Sequence, residues 1–289
     1  MNIGFIGLGV MGASMAGHLL AAGHRLGITT RTASKAQGLL DQGAHWYPTP
    51  AALVTDCEVV FTIVGYPQDV EAVYFGSDGL MSALQAGQIL VDMTTSSPEL
   101  AIRIATATEE RLALALDAPV SGGDKGAREA ALSIMVGGDA KAFETIKPLF
   151  DLMGKNIVYQ GPAGSGQHCK LCNQIAIASN MLGVCEALAY AKRSGLDPHL
   201  VLSSISTGAA GSWSLSNLAP RILDGDFEPG FFIKHFIKDM KLAVESAQSL
   251  GFDAPGLSLA LKQYQSAAQQ GLENAGTQAL FRVYTKQED

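Results

Sequence analysis

The chain has 289 residues, enough for two domains or one large one. Apolar residues make up 47% and charged residues only 16%, so material for a core is ample. The net charge of −7 argues against a general affinity for nucleic acid or an anionic membrane, and no run of about twenty apolar residues predicts a membrane span.

The opening, MNIGFIGLGVMG, shows no basic stretch, no long apolar run and no cleavage site. No secretory signal is expected, and the protein is expected in the cytoplasm. NIGFIG reads as a short buried strand. Met11 to Ala22 reads as a helix, with Met11, Met15, Leu19 and Ala22 at helical spacing. RLGITT is a second strand, and Ala33 to Gln42 a second helix. EVVFTIV and QILVDM are apolar enough to be buried on both faces, as parallel sheets require. The SSPEL segment predicts a capped helix start with Pro98 in its first turn. LALALDAPV and ALSIMVGG read as later strands, AKAFETIKPLF as a helix, and NIVYQG as a last short strand. Such alternation predicts a parallel sheet with helices on both faces.

After Gly161 the pattern changes. One long helix is expected from Gln167 to Ser194, then helical segments near Pro198 to Ser206, His235 to Leu250 and Pro255 to Gln270. Ala176, Ser179, Gly183 and Ala187 recur along the long helix and leave a face where another helix could approach, within the domain or from a partner subunit. The polar end, YTKQED, is expected to fray. Cys169 and Cys172 form a CxxC inside this helix. No second ligand pair accompanies it, so the cysteines are read as reduced, mostly buried thiols, and no metal is expected.

Three stretches carry chemistry. Gly7, Gly9 and Gly12 form a GxGxxG between a strand and a helix. Their tasks are the tight turn, the approach to a pyrophosphate, and close helix–strand packing. The loop Gly7, Leu8, Gly9, Val10, Met11, Gly12 is therefore a candidate dinucleotide site, with helix N–H groups toward the phosphates. An NAD site usually has an acid at the end of the second strand, for the ribose 2′-OH. Here that strand ends in Thr30, Arg31 and Thr32, with Lys35 close by. An arginine cannot accept from a hydroxyl, but it can pair a 2′-phosphate. NADP(H) is therefore the preferred cofactor and NAD(H) the alternative. The plain reading of Arg31 is a solvent-facing strand end.

DAPVSGG ends a strand in Ser121, Gly122 and Gly123, a hydroxyl and two backbone N–H groups suited to a carboxylate, or else an ordinary glycine loop. GSGQHCKLCNQ puts Lys170, Asn173 and Gln174 at the mouth of the apolar helix. A lysine with little water around it and positive charge nearby has a lowered pKa and can exchange a proton with a substrate oxygen. The competing reading is a lysine snorkelling from a helix start. FFIKHFIKDMKLA places Lys238 and Asp239 amid apolar residues, where they could close over a cofactor or form a surface ion pair.

Together, GFIGLGVMGASMAGHL, DAPVSGG, GPAGSGQHCKLCNQ and IKDMKLA, in this order and over almost the whole chain, resemble the β-hydroxyacid dehydrogenase family. The resemblance implies a doubly wound Rossmann-type domain over residues 1–162. A long helix joins it to an all-helical substrate and dimerisation domain over residues 163–289. It implies Lys170 as the catalytic acid/base with Asn173 assisting, and Ser121, Gly122 and Gly123 on the carboxylate of a small substrate, with Asp239 near it. It implies cofactor contacts at Val64, Gly65, Thr95 and Lys238, and a homodimer or homotetramer. Two departures stand out. Several members carry an asparagine four residues after the lysine, where this chain has Gln174, and Gly65-Tyr66 replaces a Leu-Pro. A hydroxy acid dehydrogenase or semialdehyde reductase is thus expected. The alternatives are a catalytically silent NADP-binding sensor on the same fold and a decarboxylating relative like 6-phosphogluconate dehydrogenase.

Overall fold

The computed structural model describes residues 1–285. Lys286 to Asp289, most of the tail expected to fray, lie outside the described residues. The chain divides into two compact units, 1–170 and 171–289.

In the first unit the apolar runs form strands where the alternation predicts them. They are β1 (Asn2–Ile6), β2 (Arg25–Thr29), β3 (His45–Trp46), β4 (Val59–Thr62), β5 (Ile89–Asp92), β6 (Leu114–Asp117), β7 (Val120–Ser121), β8 (Leu132–Gly138) and β9 (Gly154–Gly161). Between them run α1 (Gly12–Ala21), α2 (Gln37–Leu40), α3 (Pro50–Val54), α4 (Pro67–Phe75), α5 (Pro98–Glu109), α6 (Gly123–Arg128) and α7 (Ala140–Asp151). Ser97 accepts from Leu100 N–H and Pro98 fills the first turn of α5, as its sequence predicts. The predicted helix from Ala33 to Gln42 is instead a 3₁₀ turn, Ala33–Lys35, followed by the four-residue α2. Only Ala36, Leu39 and Leu40 there reach the core, too little to hold a longer helix in place.

The sheet order is β3-β2-β1-β4-β5-β6, all parallel, and then β8 with β9 beyond it. The parallel sheet predicted from the alternation is there, and β8 is its antiparallel exception, running against both β6 and β7. β6 and β7 are one strand interrupted at Ala118-Pro119, and the proline carbonyl accepts from Met135 N–H at 3.0 Å. The link from β7 to β8 holds only the short α6. It therefore makes a hairpin-like return rather than the longer crossover that parallel strands need. Strand alternation divides the core between two faces. Ile3, Phe5, Phe61 and Val91 lie on one, with α1 and α7, and Ile6, Val60, Leu90 and Ala115 on the other, with α3, α4 and α5. Strand order reverses between β1 and β4, the switch point where ligands bind at the carboxyl ends.

The helix α8 (Ser165–Arg193) runs across the division of the chain. The second unit continues with α9 (Pro198–Ile205), α10 (Trp213–Asn217), α11 (Ala219–Leu223), α12 (Ile233–Ser249), α13 (Pro255–Ala267) and α14 (Phe281–Thr285). It has no strand among the described residues, only a single bridge between Phe232 and Gly276. Met181, Cys185 and Leu188 of α8 pack with Phe236 and Met240 of α12 and Tyr264 of α13. By length and composition α8 could cross a membrane, against the sequence expectation, although the apolar side chains just named are taken up by this core. One point of its small-residue stripe is filled within the unit. A Cβ on Gly256 would come within 2.8 Å of the Ser179 hydroxyl, whereas one on Gly183 would meet nothing. The four cysteines are free thiols. Cys57 and Cys185 are buried, but Cys172 is exposed, because it lies off the core face of α8. Among the described residues no group of three or more His, Cys, Asp or Glu could hold a metal ion.

Candidate active site

The three glycines after β1 do different work. Gly7 has a φ of +96°, and a Cβ there would sit 2.0 Å from the Ile63 carbonyl. Its own N–H donates to Thr29 O at 3.0 Å, which fixes the turn against β2. A Cβ on Gly12 would lie 2.0 Å from Gly7 O, so α1 can start this close only at a glycine. Gly9 is exposed, and a Cβ there would meet nothing within 4 Å. The protein's own packing gives no reason for a glycine at that position. A phosphate lying on the backbone does give one. Leu8 is buried, Val10 is exposed and Met11 is half-buried. No side chain caps the start of α1, so its first turn is left open to an anion. This turn at the switch point fits a dinucleotide.

At the end of β2, Arg31 and Thr32 are exposed. Arg31 Nη1 lies 3.0 Å from Asp69 Oδ1, with Arg31 83% and Asp69 22% exposed. Asp69 belongs to the first turn of α4, behind Pro67, and its other oxygen accepts from Tyr66 N–H at 3.2 Å. An acid absent from the end of β2 in sequence is therefore present beside it in space, on the first turn of α4 and paired with Arg31. Nothing local in the sequence pairs residues 31 and 69; strand order does. Next along that edge, Val64 N–H donates to the Thr94 hydroxyl at 3.0 Å, while Gly65 and Thr95 are half-buried.

Lys170 is buried, and its Nζ donates to the Val120 carbonyl at 2.8 Å. The structure thus brings the lysine to the residue before Ser121-Gly122-Gly123. Gly122 and Gly123 have φ of +132° and +63°, values that favour glycine and turn the chain into α6. The lysine is placed by the start of its helix. Asp117 accepts from Gly164 N–H through Oδ1 and from Gln167 N–H through Oδ2, both at 2.8 Å. A Cβ on Gly166 would stand 2.3 Å from Asp117 O and 2.5 Å from Met135 O, so the helix start lies directly on the backbones of β6 and β8. Burial pushes the Asp117 carboxyl up to about 6, partly offset by the N–H groups of Gly164 and Gln167. Gln167 is fully buried. Its Nε2 donates to Thr94 O at 2.8 Å and its Oε1 accepts from Ser96 N–H at 2.9 Å. In the sequence this anchorage is signalled by the paired glycines Gly164 and Gly166, whereas Asp117 and Gln167 carry no local signal of it.

In the second unit a second polar chain begins one helical turn beyond Lys170. Asn173 Nδ2 donates to Gln174 Oε1 at 2.7 Å, Gln174 Nε2 donates to Asp239 Oδ2, and Lys238 Nζ lies 2.8 Å from Asp239 Oδ1. Lys238 and Asp239 are thus not a surface pair, being 13% and 3% exposed at their side chains. Asp239 Oδ2 thus accepts a hydrogen bond from Gln174, while Oδ1 meets Lys238 as an ion pair without hydrogen-bond geometry. Asn173 and Gln174, alternatives in the sequence, belong to one network.

A doubly wound domain with an open glycine turn at its switch point, and a buried lysine beside a Ser-Gly-Gly segment, define a nicotinamide-nucleotide-dependent oxidoreductase. A family model described as the NAD binding domain of 6-phosphogluconate dehydrogenase matches residues 2–161. Another, described as NAD-binding of NADP-dependent 3-hydroxyisobutyrate dehydrogenase, matches residues 164–284. The chain is 59% identical to an uncharacterized oxidoreductase of Bacillus subtilis, YkwC, over 99% of both proteins. It is 42% identical to the 2-hydroxy-3-oxopropionate reductase of Escherichia coli, covering 98% of this chain and 97% of that protein. A solved structure of Mycobacterium tuberculosis 3-hydroxyisobutyrate dehydrogenase with L-serine superimposes with a TM-score of 0.90 at 30% identity, over 98% of both chains. The chain belongs to the β-hydroxyacid dehydrogenase family, NAD(P)-dependent oxidoreductases acting on the CH–OH group.

Proposed function

We propose that this enzyme interconverts a short β-hydroxy acid and its semialdehyde, with NADP(H) preferred over NAD(H). The observation that carries the proposal is the buried Lys170 ammonium, 2.8 Å from the Val120 carbonyl at the threshold of Ser121-Gly122-Gly123. A substrate carboxylate held by the Ser121 hydroxyl and the N–H groups of Gly122 and Gly123 would have its β-carbon oxygen within the lysine's reach. The names of two relatives agree with this. Both 2-hydroxy-3-oxopropionate and L-serine bear the reacting oxygen on the carbon β to a carboxylate.

The nicotinamide, when bound, supplies or accepts the hydride. In reduction, Lys170 gives a proton to the carbonyl oxygen as the carbon gains hydride. In oxidation it takes the proton from the hydroxyl. Gly7, Gly9 and Gly12 would hold the pyrophosphate, and Val64, Gly65 and Thr95 the parts of the cofactor next along that sheet edge. Arg31, with Thr32, would meet a 2′-phosphate, and the NADP-dependent enzyme in the matching family model's description supports that preference.

The test is NADPH consumption with a panel of semialdehydes bearing a carboxylate, with NADH and Lys170→Ala run beside it. Turnover with NADPH is expected on at least one, falling on the order of 10²–10⁴-fold in the lysine variant. A Lys170→Ala protein as active as the wild type would refute the assignment. NADPH binding without turnover on any substrate would point to the silent sensor.

A further inference from the structure

We propose that Gln167 is a positioning residue of this reaction. Through one buried side-chain amide it fixes the peptides on either side of Thr95 against the helix turn that carries Lys170. The proposal rests on the reading of Lys170 as acid/base. Its own ground is the bonding of Gln167, whose amide spans Thr95, taking the carbonyl before it and the N–H after it. The backbone N–H of the same residue is held by Asp117 at the end of β6. Thr94 in turn accepts from Val64 N–H at the end of β4. A continuous set of bonds therefore joins the carboxyl ends of β4, β5 and β6 to the first turn of α8, and Lys170 follows three residues later on the same face.

Carboxyl ends of parallel strands are where a ligand lies in such a sheet. An amide suits this place because it donates and accepts at once. A carboxylate could not donate to Thr94 O, and an apolar side chain would leave both peptide groups without a partner in a buried place. Loss of the link frees the Thr95 peptide to shift relative to Lys170, and a displacement of about 1 Å at a reacting centre can cost on the order of 100-fold in rate.

The experiment compares wild type, Gln167→Ala, Gln167→Glu and Lys170→Ala at a temperature well below unfolding. It measures thermal melting, NADP⁺ affinity by calorimetry, kcat, KM and their pH profiles. Gln167→Ala is expected to lower kcat roughly 10–100-fold and to weaken NADP⁺ several-fold, with substrate KM within about threefold. In Gln167→Glu the introduced carboxyl can donate to Thr94 O only when protonated. Its activity relative to wild type should therefore rise as pH falls.

A merely structural glutamine would lower the melting temperature and leave kcat, NADP⁺ affinity and the pH profile of the folded enzyme unchanged, and that result overturns the proposal. If Gln167→Ala does not fold, the glutamate variant decides alone, and a ratio to wild type that stays flat with pH is the refuting outcome. The two readings fail separately. An active Lys170→Ala removes the assignment of the lysine, whereas an inactive Lys170→Ala beside a fully active Gln167→Ala removes only the role of Gln167.

Discussion

Replacing the three glycines of the first turn by alanine, one at a time, separates folding from cofactor binding. In Gly7→Ala the new Cβ overlaps the Ile63 carbonyl at 2.0 Å with φ at +96°. Left-handed strain costs about 1–2 kcal/mol and the forced backbone shift about 1–3 more, a sum of roughly 2–5 kcal/mol. At about 2–4 °C per kcal/mol for a unit of this size, the melting temperature should fall by roughly 4–20 °C. Gly12→Ala meets the Gly7 carbonyl at the same 2.0 Å, without a positive φ. It should lose about 1–3 kcal/mol. Gly9→Ala meets nothing. It should melt with the wild type, or up to a few degrees higher because alanine narrows the unfolded ensemble by about 0.4–1 kcal/mol. Its defect should appear only with cofactor. A methyl group standing where the proposed site holds the pyrophosphate would displace one or two charged hydrogen bonds worth about 1.5–3 kcal/mol each, a loss of at least roughly tenfold in affinity. Thermal unfolding without ligand and calorimetry with NADP⁺ measure the two effects. The reasoning fails if Gly9→Ala melts as low as Gly7→Ala, or if it binds NADP⁺ as tightly as wild type.

Cofactor choice is tested at the Arg31–Asp69 pair. Arg31→Ala should weaken NADP⁺ roughly 10–100-fold and leave NAD⁺ within about threefold, while Asp69→Asn releases the arginine and removes a negative charge, so NADP⁺ should bind as well as before or a few-fold better. A loss of NADP⁺ affinity in Asp69→Asn would show that Arg31 needs its carboxylate partner more than it is restrained by it. For Asp117 the folded value, about 6, is above the unfolded value of 3.8. The folded protein therefore holds the proton more tightly. This contribution is fully present below the unfolded value and is lost as pH rises through about 6, with an amplitude on the order of 3 kcal/mol. Denaturant unfolding near pH 4.5 and pH 7.5 should show wild type gaining stability relative to Asp117→Asn at the acid end. A constant difference between the two would mean that Asp117 does not titrate in this range.

The parts of the site legible in the sequence are those whose reason is local. Gly7, Gly9 and Gly12 answer to a strand, a turn and a helix within a dozen residues, and Pro98 behind Ser97 marks a helix start on its own. What was not legible depends on partners far along the chain. Asp69 meets Arg31 only because β4 lies beside β1 and β1 beside β2. The antiparallel course of β8 depends on how short the link through α6 is, while the sequence of β8 reads like any buried strand. The predicted helix at Ala33 failed because periodicity without enough buried contacts does not sustain a helix. Asp117 belongs to the DAPVSGG motif, yet its two acceptor bonds go to residues 47 and 50 positions away.

That last distance explains the residues ahead of Lys170. A helix that starts against two strands must satisfy its first N–H groups without room for side chains between backbones. Gly164 turns with φ +89°, and Gly166 leaves no Cβ to strike Asp117 O and Met135 O. Asp117 answers the helix's otherwise unpaired first N–H groups from the strand side, despite the burial that raises its pKa. Once the first turn is held in this way, Lys170 lies within 2.8 Å of the Val120 carbonyl, three residues beyond Asp117. The strand end that anchors the helix is therefore continuous with the segment that faces the lysine. A shift in that anchor moves Lys170 and Ser121 relative to each other, so mutations at Gly166 or Asp117 should alter turnover as well as stability.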